Sequence, residues 1–155
     1  MPQYSDNITL PYSKEQLFDL VIDIEKYPEF LPWCSDARIL NTESDNIFYA
    51  ELEIKFKAFF HRYTSKVKVN EIKNIKEHFL EIDVTMVNGP FRKLINKWKF
   101  EDNKDQDGTL VSFFIDLELK SIFFNKILNM VFDHAYKKML ISFKDRANKI
   151  YGTER

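Results

Sequence analysis

The chain has 155 residues and a mass of 18.6 kDa, so we expect residues 1–155 to form a single domain. Hydrophobic residues make up 45% and charged residues 30%, which excludes a compositionally disordered chain. Only three glycines occur and no glycine-rich phosphate-binding pattern is present, which argues against a nucleotide-binding fold. The single cysteine, Cys34, excludes an internal disulfide and a multi-cysteine metal site.

The net charge of −1 is unevenly distributed along the chain. Residues 1–54 hold three basic and eleven acidic residues, whereas residues 55–76 hold seven basic residues and one acidic residue. We call residues 55–76 the basic band. The N-terminal sequence lacks the basic start and apolar core of a signal peptide, and no run of eighteen apolar residues occurs. We therefore expect a soluble protein, most simply in a bacterial cytoplasm.

The N-terminal region predicts a short strand followed by a helix. The strand covers residues 4–10, and Ser13 with Gln16 three residues later is a capping box that opens a helix. Apolar residues then recur at helical spacing, at Leu17, Leu20, Val21 and Ile24. The helix should end before Pro28, because a residue that precedes proline is disfavoured in the α region.

Beyond this helix the apolar period changes to two, which predicts strands. The clearest alternation covers residues 48–56, where apolar side chains alternate with tyrosine, glutamate and lysine. Comparable patterns and turn signals follow, with strands at 37–41, 66–70, 80–86, 94–100 and 111–119 and turns at 43–46, 88–90 and 102–108. Together with residues 4–10, the count reaches about seven antiparallel strands.

The C-terminal region predicts one long helix that begins near Ser121, with Gly152 as its stop. Residues 121–132 are apolar on nearly every side, whereas residues 137–155 are amphipathic. A helical segment that is apolar all round must be covered by protein, ligand or lipid.

Two motifs, YPEFLPWC at 27–34 and GPFRKLINKWKF at 89–100, occur within this order of elements. Together they resemble the coenzyme Q-binding and polyketide-cyclase-like family of the START superfamily, in the branch of mitochondrial coenzyme Q-binding proteins and bacterial ribosome-association toxins. The resemblance implies an α+β helix-grip fold, in which a curved antiparallel sheet wraps around a long C-terminal helix. It also implies an elongated apolar cavity between sheet and helix that binds ubiquinone or a polyprenyl precursor.

Periodicity alone does not distinguish a filled aromatic core from a lined cavity. The family resemblance favours a cavity, and a polyprenyl chain would gain about 0.8 kcal/mol for each buried methylene group. We expect ligand-binding residues at Phe30, Leu31, Trp33, Phe56, Tyr63, Ser65, Phe91, Leu94, Asn96, Trp98, Phe113, Leu128, Val131 and Phe132. Among these, Tyr63, Ser65, Asn96 and the Trp98 indole are the candidate hydrogen-bond donors to a quinone head group.

Catalysis is not expected, because strand alternation places the ionisable groups on the outer face of the sheet. Glu81, Asp83, Asp116 and Glu118 all lie opposite the apolar face, which removes the paired carboxylates of a general acid/base mechanism. The three histidines show no metal-binding spacing, and we predict neither a metal nor a resident cofactor. A cyclase or dehydrase would need an ionisable cluster inside the cavity.

Two groups of residues suggest contacts with a larger partner. The motif YPEFLPWC is either a rigid corner held by two prolines or an apolar lip that touches a bilayer through Phe30, Leu31 and Trp33. Basic side chains that would meet anionic lipid or ribosomal RNA are Lys55, Lys57, Arg62, Lys66, Lys68, Arg92 and Lys93. The basic band also has a simpler interpretation, as a solvated face of the sheet.

The sequence therefore predicts a non-enzymatic lipid carrier that supports ubiquinone synthesis or delivery to the respiratory chain. We expect it in the cytoplasm, peripherally associated with the inner membrane, with a lipid ligand and no DNA partner. The alternative, which the resemblance also implies, is the toxin of a toxin–antitoxin pair that binds ribosomal subunits and blocks their joining.

Overall fold

The computed structural model describes residues 3–56, 58–104 and 107–152. The strands are β1 (Gln3–Leu10), β2 (Cys34–Ser44), β3 (Ile47–Phe56), β4 (Phe59–Lys73), β5 (His78–Asn88), β6 (Phe91–Asp102) and β7 (Thr109–Leu119). The α-helices are α1 (Lys14–Ile22) and α2 (Ile122–Tyr151), and a short 3-10 helix covers Ile24–Glu29.

All seven strands form one antiparallel sheet with the order β1-β7-β6-β5-β4-β3-β2. Strands β2 to β7 follow one another as a meander, and β1 pairs with β7 at the opposite edge from β2. The sheet is curved and α2 lies across its concave face, so the predicted helix-grip fold is confirmed. The alternating apolar side chains of each strand point to this concave face.

The predicted capping box opens α1. The Ser13 hydroxyl accepts a hydrogen bond from the Gln16 backbone N–H at 3.1 Å, and the Ser13 N–H donates to Gln16 Oε1 at 3.0 Å. The α-helix ends at Ile22, before Pro28 as expected, and Pro28 lies inside the 3-10 helix that follows.

Helix α2 has 30 residues, and the Ser121 hydroxyl caps it by accepting a hydrogen bond from the Phe124 N–H at 3.2 Å. It ends at Gly152 as predicted, but the glycine has a φ of −73° and is not in the left-handed region. Its role is steric, because a Cβ at this position would lie 2.4 Å from the Asn148 carbonyl oxygen.

The two ends of the sheet differ in how they are filled. We call the end with the β3–β4 turn, the β5–β6 turn and the β7–α2 connection the upper end, and the opposite end the lower end. In the lower half, α1 packs into the concave face, and one buried cluster joins Leu17, Leu20, Val21 and Ile24 to Leu80, Ile82, Phe100 and Val111. The upper half has no α1 beneath it and is roofed by the first half of α2.

Polar contacts fix α2 and α1 at the lower half. The Tyr151 hydroxyl donates to the Gln16 carbonyl at 3.0 Å, and the Arg146 guanidinium lies 2.8 Å from Glu29 of the 3-10 helix. The buried Lys14 ammonium lies 3.0 Å from Asp102 at the end of β6. These contacts fix the second half of α2 against the helical region before β2. They also fix the start of α1 and the end of the 3-10 helix.

Candidate ligand-binding cavity

A cavity of about 330 Å³ lies between the concave face of the upper half of the sheet and the first half of α2. Its wall is almost wholly apolar, and among the described residues it holds no Asp, Glu, Lys, Arg or His. The wall combines side chains from strands β3 to β7, from the corner at 27–34 and from α2. A site of this kind suits an apolar ligand with few polar groups.

Most of the residues that the sequence assigns to a ligand site lie on this wall. They are Leu31, Trp33, Phe56, Tyr63, Phe91, Leu94, Asn96, Trp98, Leu128, Val131 and Phe132. Strand alternation brings the sheet residues together, and the apolar segment of α2 supplies the last three. Their contact with a ligand stays a prediction.

Three predicted ligand residues lie off the wall. Phe30 packs edge-on against Phe143 at 5.2 Å between ring centroids and lies beneath the Arg146 guanidinium, so it supports the interpretation of a rigid corner. Ser65 points inward but is only 1% exposed, and its hydroxyl donates to the Ala50 carbonyl at 3.4 Å. Phe113 lies behind Trp98, with a centroid separation of 4.8 Å, and belongs to the filled cluster.

The polar groups on the wall are not equivalent as hydrogen-bond donors. The Trp98 indole N–H donates to Asn96 Oδ1 at 3.1 Å, and the Asn96 amide donates to the Phe114 carbonyl at 2.9 Å. The Tyr27 hydroxyl donates to the Val21 carbonyl, and the Tyr136 hydroxyl is hydrogen-bonded with the Tyr4 side chain. The Tyr63 hydroxyl has no hydrogen-bond partner among the described residues, so it is the donor free to meet a ligand.

Tyr63 is held in place from two sides. Its ring packs edge-on against Phe91 at 5.0 Å between centroids, and Gly89 of the β5–β6 turn lies against its other side. A Cβ on Gly89 would lie 2.5 Å from the Tyr63 Cβ, so the glycine of the GPFRKLINKWKF motif leaves room for this side chain.

Burial keeps the Tyr27 and Tyr63 hydroxyls and the Cys34 thiol protonated. It raises the pKa of Tyr63 and of Tyr27 above the ordinary tyrosine value, and it raises the pKa of the Cys34 thiol to about 11. At neutral pH Tyr63 is therefore a neutral O–H donor, and Cys34 is not a thiolate nucleophile.

The carboxylates lie on the outer face of the sheet, as strand alternation predicts. Asp116 is buried there, with the Lys93 ammonium at 2.8 Å from Oδ2 and the Gln3 amide at 3.3 Å. The hydrogen bond from Lys93 holds the pKa of Asp116 below its usual range. This ion pair is separated from the cavity by the sheet itself.

The basic band does not form one continuous cationic patch. Arg62 is within 2.9 Å of Glu53, 3.2 Å of Asp36 and 3.3 Å of Glu51, so its charge is offset by three carboxylates. Lys93 pairs with Asp116, and Arg92 lies 4.0 Å from Glu118.

The remaining predicted basic contacts have different positions. Within the described ranges, Lys55, Lys66 and Lys68 have no ion pair, and Lys66 and Lys68 lie on the outer face of β4. Lys57 lies outside the described residues. Of the basic residues predicted to contact lipid or RNA, Arg62, Arg92 and Lys93 are therefore paired with carboxylates. Lys55, Lys66 and Lys68 are not paired within the described ranges.

Several wall residues have no counterpart in the sequence prediction. Phe59 and Phe124 meet across the upper end at 5.2 Å between ring centroids, and Tyr27 and Cys34 contribute from the corner. Phe59 is in phase with the inward residues Tyr63 and Ser65 of β4, so extending the alternation back to the start of this strand would have identified it. The apolar character of residues 121–132 was the available signal for Phe124.

The arrangement of a curved antiparallel sheet around a long C-terminal helix also occurs in known protein families. The family described as "Polyketide cyclase / dehydrase and lipid transport" matches residues 10–144. The chain belongs to this family. The resemblance inferred from the two motifs is thereby confirmed.

Relatives of this polyketide cyclase and lipid transport domain carry two kinds of name. "Ribosome association toxin RatA" of Rickettsia prowazekii is 36% identical, over 91% of this chain and 92% of the relative. "Coenzyme Q-binding protein COQ10, mitochondrial" of Dictyostelium discoideum is 33% identical, over 93% of this chain and 68% of the relative. Both names fall in the branch that the motifs indicate.

Solved structures share the fold of this domain at low sequence identity. Human StAR-related lipid transfer protein 5 superposes with a TM-score of 0.79 at 10% identity, covering 96% of this chain and 76% of that protein. The START-like architecture is therefore confirmed, and this likeness concerns the fold alone.

None of the helices in residues 3–56, 58–104 and 107–152 combines the length and apolar character needed to cross a membrane. The same residues contain no group of three or more His, Cys, Asp and Glu side chains placed to hold a metal ion.

We expect a leucine-to-alanine substitution to lower the free energy of unfolding more in the filled lower half of the domain than in the hollow upper half. Leu20→Ala removes a side chain from the filled cluster and should lower the free energy of unfolding by about 2–5 kcal/mol. Leu128→Ala enlarges a cavity that already exists, so we expect less than about half that loss. Urea unfolding of the two variants measures the difference, and equal losses would show that the upper half is packed as tightly as the lower half.

Proposed function

We propose that the protein binds ubiquinone or a polyprenyl quinone precursor in the upper cavity and carries it without chemical change. In this role it supports ubiquinone synthesis or delivery to the respiratory chain. It works in the cytoplasm at the surface of the inner membrane, and the lipid is its ligand and not a resident cofactor.

The observation that carries this proposal is the free Tyr63 hydroxyl in a largely apolar wall whose other polar side chains already have protein partners. A quinone offers carbonyl oxygens that accept hydrogen bonds and an isoprenoid chain that prefers apolar surroundings, so the two chemistries match. The relative named as a coenzyme Q-binding protein supports the same ligand class.

The composition of the wall supports a carrier over an enzyme. A cyclase or dehydrase moves protons, and such steps use groups whose pKa lies near the working pH. The polar groups of the described wall are the protonated Tyr27, Tyr63 and Cys34, the Tyr136 hydroxyl beside Tyr4, and an asparagine–tryptophan pair that is already hydrogen-bonded. No acid/base pair is available among these groups.

The first test is organic extraction of the protein purified from a ubiquinone-producing host, with quinone measured by chromatography and mass spectrometry. We expect close to one equivalent, lost in Leu128→Lys because an ammonium group on the wall disfavours an apolar ligand. The matched control is Met130→Lys, on the same helix but 83% exposed and off the wall. Circular dichroism establishes that both variants fold. An empty protein that also fails to take up added quinone contradicts the proposal.

The role of Tyr63 is tested with a short-chain quinone and Tyr63→Phe. Removing one neutral hydrogen bond costs about 1 kcal/mol, so the dissociation constant should rise about fivefold. Binding of a short isoprenoid hydrocarbon, which has no carbonyl, should not change. Tyr151→Phe is the control, because its hydroxyl binds the Gln16 carbonyl away from the cavity. An equal loss for both ligands would indicate a packing effect instead of a hydrogen bond.

A second candidate function is association with ribosomal subunits, and the relatives named as ribosome association toxins favour it. The unpaired Lys66 and Lys68 on the outer face of β4 are the side chains best placed for phosphate contacts, because neighbouring Arg62 is already surrounded by carboxylates.

If this second function holds, the protein should sediment with ribosomal subunits at low salt. Changing Lys66 and Lys68 to Glu should then lower the slope of log affinity against log salt concentration by about two. Lys144→Glu with Lys149→Glu, on the exposed face of α2, is the matched charge control. Sedimentation that is insensitive to both pairs would rule out the outer face of β4 as the contact.

A further inference from the structure

The β3–β4 hairpin extends beyond its neighbour in the sheet. Asn88, the last residue of β5, pairs with Thr64, whereas β4 begins five residues earlier at Phe59. At about 3.3 Å per residue, the hairpin projects roughly 17 Å past the end of β5. Its tip meets the first turns of α2 through Phe59 and Phe124, so these two elements border the opening of the cavity.

Large apolar side chains are exposed on this border. Phe60 of the hairpin is 58% exposed, and Ile122 and Phe123 of the first turn of α2 are 75% and 64% exposed. Phe123 also lines the cavity, so the exposed apolar surface is continuous with the cavity wall. Phe60 follows Phe59 in β4 and therefore points to the outer side of the hairpin, so exposed apolar side chains lie on both sides of its tip. Exposed apolar side chains grouped at one end of a domain mark a contact site.

The two ends of the domain carry opposite charge. The upper-end segments 30–35, 54–62, 87–93 and 119–127 contain seven Lys and Arg residues and no Asp or Glu, and three of the seven, Arg62, Arg92 and Lys93, pair with carboxylates of the adjoining strands. The lower-end turns 43–46, 74–77 and 101–108 contain seven acidic and two basic residues. Within the described part of the upper end, Lys55, Lys120 and Lys126 have no ion pair to offset them. This combination of apolar and cationic side chains complements an anionic lipid surface.

The cavity wall reaches the surface at the upper end, where Phe123 both lines the cavity and is 64% exposed. A polyprenyl chain that extends beyond the cavity at this end would emerge beside the hairpin tip and the first turn of α2. An apolar medium there would receive the emerging chain.

We infer that the upper end docks on an anionic bilayer, with the β3–β4 hairpin tip and the first turn of α2 in the headgroup region. The head group of the ligand occupies the cavity while the tail stays in the membrane. This inference rests on the proposed lipid-binding function and assigns its membrane contact to Phe60, Ile122, Lys120 and Lys126. Phe30 of the predicted lip is not part of this contact, because it packs against Phe143 of α2.

The test is sedimentation with vesicles of phosphatidylcholine containing about one third phosphatidylglycerol, compared with phosphatidylcholine alone. The wild-type protein should bind the anionic vesicles more tightly. Phe60→Ser and Ile122→Ser should each lower the partition coefficient about tenfold, because each removes a large side chain from the apolar contact. Lys120→Glu and Lys126→Glu should each lower it about fivefold or more on anionic vesicles.

Matched controls come from the lower end. Ile75→Ser alters a fully exposed isoleucine in the β4–β5 turn, and Lys76→Glu alters its neighbouring lysine. Both controls should leave vesicle binding unchanged. If upper-end and lower-end variants behave alike, or the wild-type protein ignores anionic vesicles, the inference is wrong.

Binding of a short-chain quinone in solution separates this inference from the function on which it rests. Phe60→Ser and Ile122→Ser should keep quinone affinity, because neither side chain lines the cavity. Loss of vesicle binding with quinone affinity intact supports the docking surface. Failure of quinone binding in the wild-type protein refutes the function itself. If Lys120→Glu and Lys126→Glu abolish binding to ribosomal RNA but not to vesicles, the upper end is an RNA contact and the inference fails.

Discussion

The structure depends on one packing constraint: the concave face of a seven-stranded curved sheet is larger than a single helix can cover. Helix α1 resolves this constraint only at the lower half, where Leu17, Leu20 and Val21 join the buried cluster. At the upper half, α2 spans the sheet without a second layer beneath it, and the space stays open. The cavity is therefore a consequence of where α1 ends, at Ile22, and of the 3-10 helix that turns the chain back into β2.

The same division explains the character of the site. Because α1 does not reach the upper half, the cavity there is lined mainly by side chains of the strands and of α2. Most of these side chains are large and apolar. A few polar side chains interrupt this apolar lining. Trp98 and Asn96 are hydrogen-bonded to each other, whereas the Tyr63 hydroxyl has no partner among the described residues. A wall with one free neutral donor selects ligands by shape and by a single acceptor position.

Strand alternation predicted much of this arrangement, because period-two patterns fix which face each side chain occupies. It placed Phe91, Leu94 and Trp98 inward, and the structure has them on the cavity wall. It did not predict that Ser65, also inward, would bond the adjacent strand, or that Arg62 would meet Asp36 from a strand 26 residues away. Such outcomes depend on distances between strands, which no local pattern encodes. Phe59 was missed because the predicted strand covered only residues 66–70, whereas β4 begins at Phe59.

The separation of a packed half from a hollow half also has an evolutionary consequence. Residues that sustain the fold lie mainly around α1 and the second half of α2, whereas those that shape the cavity lie around the upper strands and the first half of α2. Substitutions at the upper wall can therefore change ligand size and chemistry while the packed half maintains stability. A domain organised in this way can diversify into carriers, cyclases and proteins with other partners, which is the range of names its family now contains.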